Sequence, residues 1–204
     1  MQKTLTERIQ WLVANNIEFA QERAEFKHWC LCLTEIESPA VYLEIGARNG
    51  GSLYVAAGFM PPRSTIIAID LPGGPWGDTA SESNLRRVAK RLVNENYDVH
   101  LILAKSSDPQ TVEQLDSILQ GRKVAAAFID GDHSELGVKS DWTTVLALID
   151  KRGLIGVHDI AIRSDTPEVE VGNFWNSLSK DFSTIEIIYR YGLGIAHLDA
   201  NLRK

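Results

Sequence analysis

Two short runs in this chain gather carboxylates and imidazoles: Asp130-Gly131-Asp132-His133 and His158-Asp159. Carboxylate oxygens and imidazole nitrogens are ligands for divalent cations. Imidazole also moves protons near neutral pH. The chemistry open to such a set is metal binding combined with general acid–base work. The bland use of the same residues is turn formation and helix capping, which collects Asp and His at the ends of strands in any α/β protein. Both runs stand at the end of an apolar segment, and the chain has only five histidines. That coincidence favours a site over two unrelated turns.

The segments that carry these runs fix where they lie. Residues 124–129 are apolar without alternation, and residues 154–157 repeat the pattern. Short uninterrupted apolar runs read as strands buried on both faces, hence as strands of a parallel sheet covered by helices. In such sheets ligands sit beyond the carboxyl ends of the strands. Asp130, His133, His158 and Asp159 therefore fall where a ligand is expected.

A third strand, residues 41–45, ends in Gly46-Ala-Arg-Asn49-Gly50-Gly51-Ser52, and a helix follows over 53–59. Glycines there permit positive φ and close backbone approach, and the helix start offers free N–H groups. The spacing matches neither the dinucleotide pattern G-x-G-x-x-G nor the P-loop. Glu44 lies inside this strand, where a buried carboxylate needs a cationic ligand or a hydrogen-bonded network. Asp70 ends the next strand, 65–69, about 20 residues past the turn, where an acid accepts ribose hydroxyls. A further strand, 99–104, leads into Ser106 and Ser107, a polar turn able to face a nucleobase.

Helices are read over 3–20, 22–37, 81–94, from Ser107 or Asp108 to 119, 136–149 and 172–178. Two final strands, 183–190 and 193–198, form an antiparallel pair. The His28, Cys30, Cys32 cluster reads as an incidental feature of a core-facing helix, and His197 as structural. Trp76, residues 160–171 and Trp175 are candidates for the wall of a second-substrate pocket.

Length and composition agree with one α/β domain of 204 residues and net charge −6, without a basic run. This argues against a phosphate-backbone binder, so no nucleic-acid partner is expected. Two cysteines form no disulfide framework, which points to a reducing compartment. No apolar segment reaches the roughly 20 residues that span a bilayer. A cytoplasmic protein without a membrane partner is the expectation, and the N-terminal helices leave a homo-oligomer open.

The chain resembles the class I S-adenosylmethionine-dependent methyltransferases over about residues 40–198. The resemblance rests on Leu43-Glu-Ile-Gly-x-x-x-Gly-Gly-Ser52 and on Asp70. Phe128-Ile-Asp-Gly-Asp-His-Ser134, Val138-Lys-x-Asp141 and Gly153-Leu-Ile-Gly-x-His-Asp159 narrow it further. These are similar to motifs of metal-dependent O-methyltransferases related to the cephalosporin-biosynthesis (cephalosporin hydroxylase-like) and macrolide-sugar enzymes. It implies an α/β, three-layer Rossmann-like sheet, mostly parallel with a C-terminal antiparallel strand and the order 3-2-1-4-5-7-6. It divides the chain into an N-terminal helical extension, 1–38, and a methyltransferase domain, 39–204.

By the same resemblance, Gly46, Asn49, Gly50 and Ser52 line the methionine part of S-adenosylmethionine with Glu44 beneath, and Asp130 borders the cofactor. Asp70 holds the ribose, and Ser106 and Ser107 lie near the adenine. Asp130, His158 and Asp159 bind a divalent metal, and His133 is the general base beside Asp130. The position of His158 is usually acidic in such enzymes. Imidazole there admits manganese, zinc or iron beside the magnesium expected. The implied reaction is metal-assisted methyl transfer to a hydroxyl of a small molecule, a sugar or natural product. The competing readings are a nucleotide-cofactor oxidoreductase, which the glycine spacing opposes, and a non-catalytic S-adenosylmethionine-binding module. A third is a hydrolytic site, which the Glu44-x-Gly46 pocket opposes.

Overall fold

The computed structural model describes residues 4–74 and 81–198 of the chain. Trp76 lies outside the described residues. Helices α1 (Leu5–Ala14) and α2 (Arg23–Leu33) precede β1 (Val41–Ile45) and α3 (Gly51–Ala57). Next come β2 (Thr65–Asp70), α4 (Ser81–Asn94), β3 (Asp98–Leu103), α5 (Pro109–Leu119), β4 (Val124–Ile129) and α6 (Glu135–Leu148). The chain continues through β5 (Ile149–His158), α7 (Val171–Leu178), β6 (Ser183–Ile187) and β7 (Leu193–His197). The sheet order is β3-β2-β1-β4-β5-β7-β6, with β7 antiparallel to both of its neighbours and the other pairs parallel. This is the order the resemblance implies. No helix among the described residues is long and apolar enough to cross a membrane.

Alternation within the central strands splits the interior into two cores. Tyr42, Ile66, Ala68, Ala126 and Phe128 face a layer built from α1 to α4. Leu43, Ile45, Ile67, Ile69, Ala127 and Ile129 face α5, α6 and α7. Every residue of β1 is buried, as a strand covered on both faces requires. Apolar side chains on both faces make the strands read as unbroken hydrophobic runs.

Several boundaries differ from the sequence reading: α2 stops at Leu33, where Thr34 caps it, and not at 37, and α3 starts at Gly51 and ends at Ala57, not 53–59. The first helix stops at Ala14, because Asn15 caps it and Asn16 takes a left-handed φ of 53°. Ile17, which fits a helical spacing, is buried from the non-helical segment that follows. Strand β5 begins at Ile149, not 154, since Ile149 already pairs with Val124 before a register irregularity. The segment 150–153 thus belongs to the strand and does not close α6. Strand β6 ends at Ile187. His28 is exposed and Cys30 buried, in keeping with a core-facing helix.

Helix α2 is tied to the sheet by aromatic packing. Phe128 of β4 meets Phe26 edge-on at a centroid distance of 5.3 Å, and Trp29 at 5.7 Å. All three rings are buried. Phe128→Ala leaves a cavity at this seam and is expected to cost about 3–5 kcal/mol of stability. Urea unfolding of variant and wild type measures it; a loss below about 1 kcal/mol would mean that α2 does not depend on this ring.

Candidate functional site

The site follows from strand register. Ile45 pairs with Ile69 and with Ile129, and Ile129 pairs with Val157. One residue further along each strand stand Gly46, Asp70, Asp130 and His158. Four parallel strands thus end in a row, and these four residues line one cavity at their carboxyl ends. The row is stitched by backbone bonds, Gly46 N–H to the Ile69 carbonyl and Asp130 N–H to the Ile45 carbonyl, both 2.8 Å. A cavity of about 800 Å³ lies over it, inside the range of roughly 300–1,000 Å³ usual for small-molecule sites.

At one end of the cavity is the glycine turn. Gly46 has φ 87°, and a Cβ there would collide with the Asp130 backbone carbonyl. Only glycine lets β1 and β4 approach this closely while the chain turns. Gly46, Asn49, Ser52, Asp70, Ser106, Ser107 and Asp130 all line the cavity. Glu44 and Gly50 do not. Gly50 is the left-handed N-cap of α3 and faces α4, where a Cβ would meet Val88 Cβ at 3.0 Å. Its neighbour Gly51 stands in the wall instead. Asp70 accepts the Arg48 N–H on Oδ1 at 2.8 Å, which fixes its carboxylate at the rim. Burial raises the Asp70 pKa against that bond.

At the other end Asp130, His133, His158 and Asp159 converge. Oδ1 of Asp130 lies 3.0 Å from His158 Nδ1 and 3.6 Å from His133 Nε2. Oδ2 of Asp159 lies 3.4 Å and 3.6 Å from the same two nitrogens. Asp159 adopts φ 60°, a left-handed conformation that Asp tolerates better than most residues. This turn at the end of β5 brings its carboxylate back beside that of Asp130. Asp132, by contrast, is exposed and accepts the Ser134 N–H at 3.0 Å, a turn role.

Charge explains the closeness. Burial alone would lower the His158 pKa, but the two carboxylates overcome it and lift the imidazole to about 10. Burial likewise opposes ionisation of Asp130, yet His158 and His133 hold it below the ordinary carboxylate range. His133 is raised as well, its burial outweighed by Asp130 and Asp159.

The donor set fits a divalent cation. One ligand atom each from Asp130, His133 and Asp159 lies within 4.8 Å of the others, a set that holds His133 where the resemblance implies His158. Asp159 Oδ1 is buried without a hydrogen-bond partner among the described residues, with Arg163 Nη2 3.5 Å away. His158 Nδ1 sits between the same carboxylates, so holding an ion through that nitrogen requires loss of its proton.

Several residues of the cavity have no role assigned from the sequence. Gln21 donates through Nε2 to Asp130 Oδ2 at 2.8 Å. Tyr191 packs against His158 at 5.6 Å between centroids, with the Arg163 guanidinium 4.7 Å from its ring. Asp141, present in one of the motifs but without an assigned role, is buried beneath Gly131 and lines the cavity. Burial lifts its carboxyl to about 6. Trp175 is not a pocket residue. It is buried in the core and donates to Glu186 Oε1 at 2.8 Å.

Glu44 finds the hydrogen-bonded network that its position demands. Ser52 Oγ donates to Oε1 at 2.6 Å and Tyr42 Oη to Oε2 at 2.8 Å. Trp29 Nε1 donates in turn to Tyr42 Oη at 3.4 Å. Burial nevertheless lifts the carboxyl from 4.5 to about 8, against these bonds and with help from nearby Asp130 and Asp70. The folded state therefore holds a proton that the unfolded chain releases. Its stability contribution is complete below about pH 4.5 and is lost as pH rises to about 8. Glu44→Gln should flatten this dependence, so that its stability relative to wild type increases across that window in thermal unfolding. A constant difference would mean that Glu44 is ionised throughout.

The likeness to known proteins follows these lines. No curated protein matches the sequence. Among solved structures, cofactor-bound Rv0187 from MTB superposes with a TM-score of 0.69 at 18% identity, covering 96% of this chain and 89% of that one. The O-methyltransferase from Bacillus cereus in complex with SAH gives 0.66 at 16% identity, over 95% and 89%. TomG from Streptomyces achromogenes, an O-methyltransferase involved in tomaymycin synthesis and solved with SAM, gives 0.64 at 18%, over 95% and 88%. At these identities the shared property is the fold. The sequence model of the methyltransferase domain matches residues 43–160, which contain the glycine turn and both metal-capable strand ends, and the chain therefore belongs to the methyltransferase-domain family.

Proposed function

We propose that the protein is an S-adenosylmethionine-dependent O-methyltransferase that works with a divalent metal on a hydroxyl group of a small molecule. The observation that carries this reading is the shared cavity. The glycine turn and Asp70 lie at one end, and Asp130, His133, His158 and Asp159 at the other. The named activities of the solved neighbours TomG and the Bacillus cereus enzyme support the oxygen acceptor and the methyl donor.

In this reading S-adenosylmethionine supplies a methyl carbon on a cationic sulfur. A divalent metal supplies Lewis acidity that lowers the pKa of an acceptor hydroxyl. The chain does the rest. Gly46, Asn49 and Ser52 hold the amino-acid end of the donor, Asp70 its ribose, and Ser106 and Ser107 its base. Asp130, His158 and Asp159 hold the metal, and the imidazoles in that set suit manganese, zinc or iron as well as magnesium. His133, with Nε2 at 3.6 Å from both carboxylates, takes the acceptor proton. Tyr191 and Arg163 form the wall on the acceptor side.

The magnitudes rank these contributions. Holding donor and acceptor in line is worth about 7–11 kcal/mol. A general base typically adds about 10²–10⁴-fold, roughly 3–5 kcal/mol. Loss of Asp130 should therefore cost more than loss of His133.

Methyl transfer from labelled S-adenosylmethionine to a panel of hydroxylated sugars and phenols tests the reading. Oxygen-methylated product should form, disappear with EDTA and return with manganese or magnesium. Asp130→Ala should leave no measurable turnover. His133→Ala should retain manganese and S-adenosylhomocysteine binding in calorimetry while turnover drops about 10²–10⁴-fold. Transfer indifferent to EDTA, or near-normal turnover in Asp130→Ala, would refute the metal role. Loss of manganese affinity in His133→Ala would make that histidine a ligand and not the base.

A further inference from the structure

We infer that Gln21, from the segment that joins α1 to α2, is the positioning residue that aims Asp130 at the metal. The inference rests on the metal reading above. It begins with how firmly the segment is placed. Ile17 is buried and its N–H bonds to the Leu12 carbonyl at 2.9 Å. Glu18 pairs with Arg48 at 3.1 Å. The Glu18 carbonyl lies so close to Gly51 that a Cβ there would collide with it. The segment is thus strapped across the glycine turn. It delivers Gln21 to the far side of the cavity.

Gln21 is 8% exposed. Its Nε2 donates to Oδ2 of Asp130 at 2.8 Å. The other carboxylate oxygen, Oδ1, faces His158 Nδ1 and His133 Nε2. The amide therefore divides the two oxygens. Oδ2 is held, and Oδ1 alone is left to the ion. The orientation of the amide is not arbitrary, because turning it over would set its carbonyl oxygen against a carboxylate oxygen. With Nε2 so committed, Oε1 is buried in the cavity wall without a hydrogen-bond partner among the described residues. A buried acceptor left unpaired calls for a partner such as an ordered water or a ligand group in the cavity. Among the described residues the Asp130 carboxylate is otherwise held from the histidine side alone, so removal of the amide frees it to rotate.

Manganese titration followed by electron paramagnetic resonance tests this on the whole chain, with Gln21→Met against wild type. Met keeps the length and removes the donor. Outer-sphere partners of metal-binding carboxylates typically account for about 10–100-fold in metal affinity. A weakening of that size is expected, with the metal-free melting temperature unchanged within a few degrees. Equal manganese affinity in wild type and variant would overturn the role of Gln21 while leaving the metal site intact. Failure of wild type itself to bind manganese would overturn the metal reading and this inference with it. Should Gln21→Met not fold, Gln21→Asn makes the same comparison, since it keeps an amide but is one methylene too short to hold Asp130.

Discussion

Four strands ending at one level are the constraint from which the site grows. Parallel pairing sets Ile45, Ile69, Ile129 and Val157 side by side, and the residue that follows each is then forced into a common row. The backbone bond from Asp130 to the Ile45 carbonyl carries the pairing one step past the strands. Gly46 makes that step sterically possible, because any larger residue would meet the Asp130 carbonyl. The cradle at the β1 turn and the acid at the end of β4 are therefore consequences of one close approach. A change at either strand end disturbs both halves of the site.

The second constraint is electrostatic. Asp130 and Asp159 are drawn together in a largely buried place, where like charges repel and desolvation is costly. Two histidines and Arg163 supply the counter-charge in the protein alone. In the proposed reading a divalent cation would take over this role from the imidazole protons, which it would have to displace. Glu44 shows the contrasting solution. It is satisfied by Ser52 and Tyr42 and is kept largely protonated by burial, so it supports the turn from below and needs no ion.

Much of this was legible in the residues. Uninterrupted apolar runs over 124–129 and 154–157 read as strands covered on both faces, which puts the polar residues right after them at the strand tips. Other features were hidden for physical reasons. Gln21 reaches Asp130 across 109 positions of sequence, and no local pattern encodes such a contact. Gly50 and Gly51 look alike in a sequence, but only backbone geometry decides which of them faces α4 and which faces the cavity. Trp175 sits on a short helix near a polar connection, which suggested a pocket wall. Its burial against the sheet and its bond to Glu186 make it a core residue. The first helix outlasts its true end in the apolar spacing, because Ile17 is buried without being helical.

Anomalous diffraction from crystals soaked with manganese and S-adenosylhomocysteine addresses the central claim directly. The account requires one manganese peak bound by the carboxylates of Asp130 and Asp159, with the homocysteine sulfur in the same cavity and the ribose at Asp70. A manganese-free cluster beside a filled cofactor pocket, or carboxylates that swing apart when the cofactor binds, would contradict it.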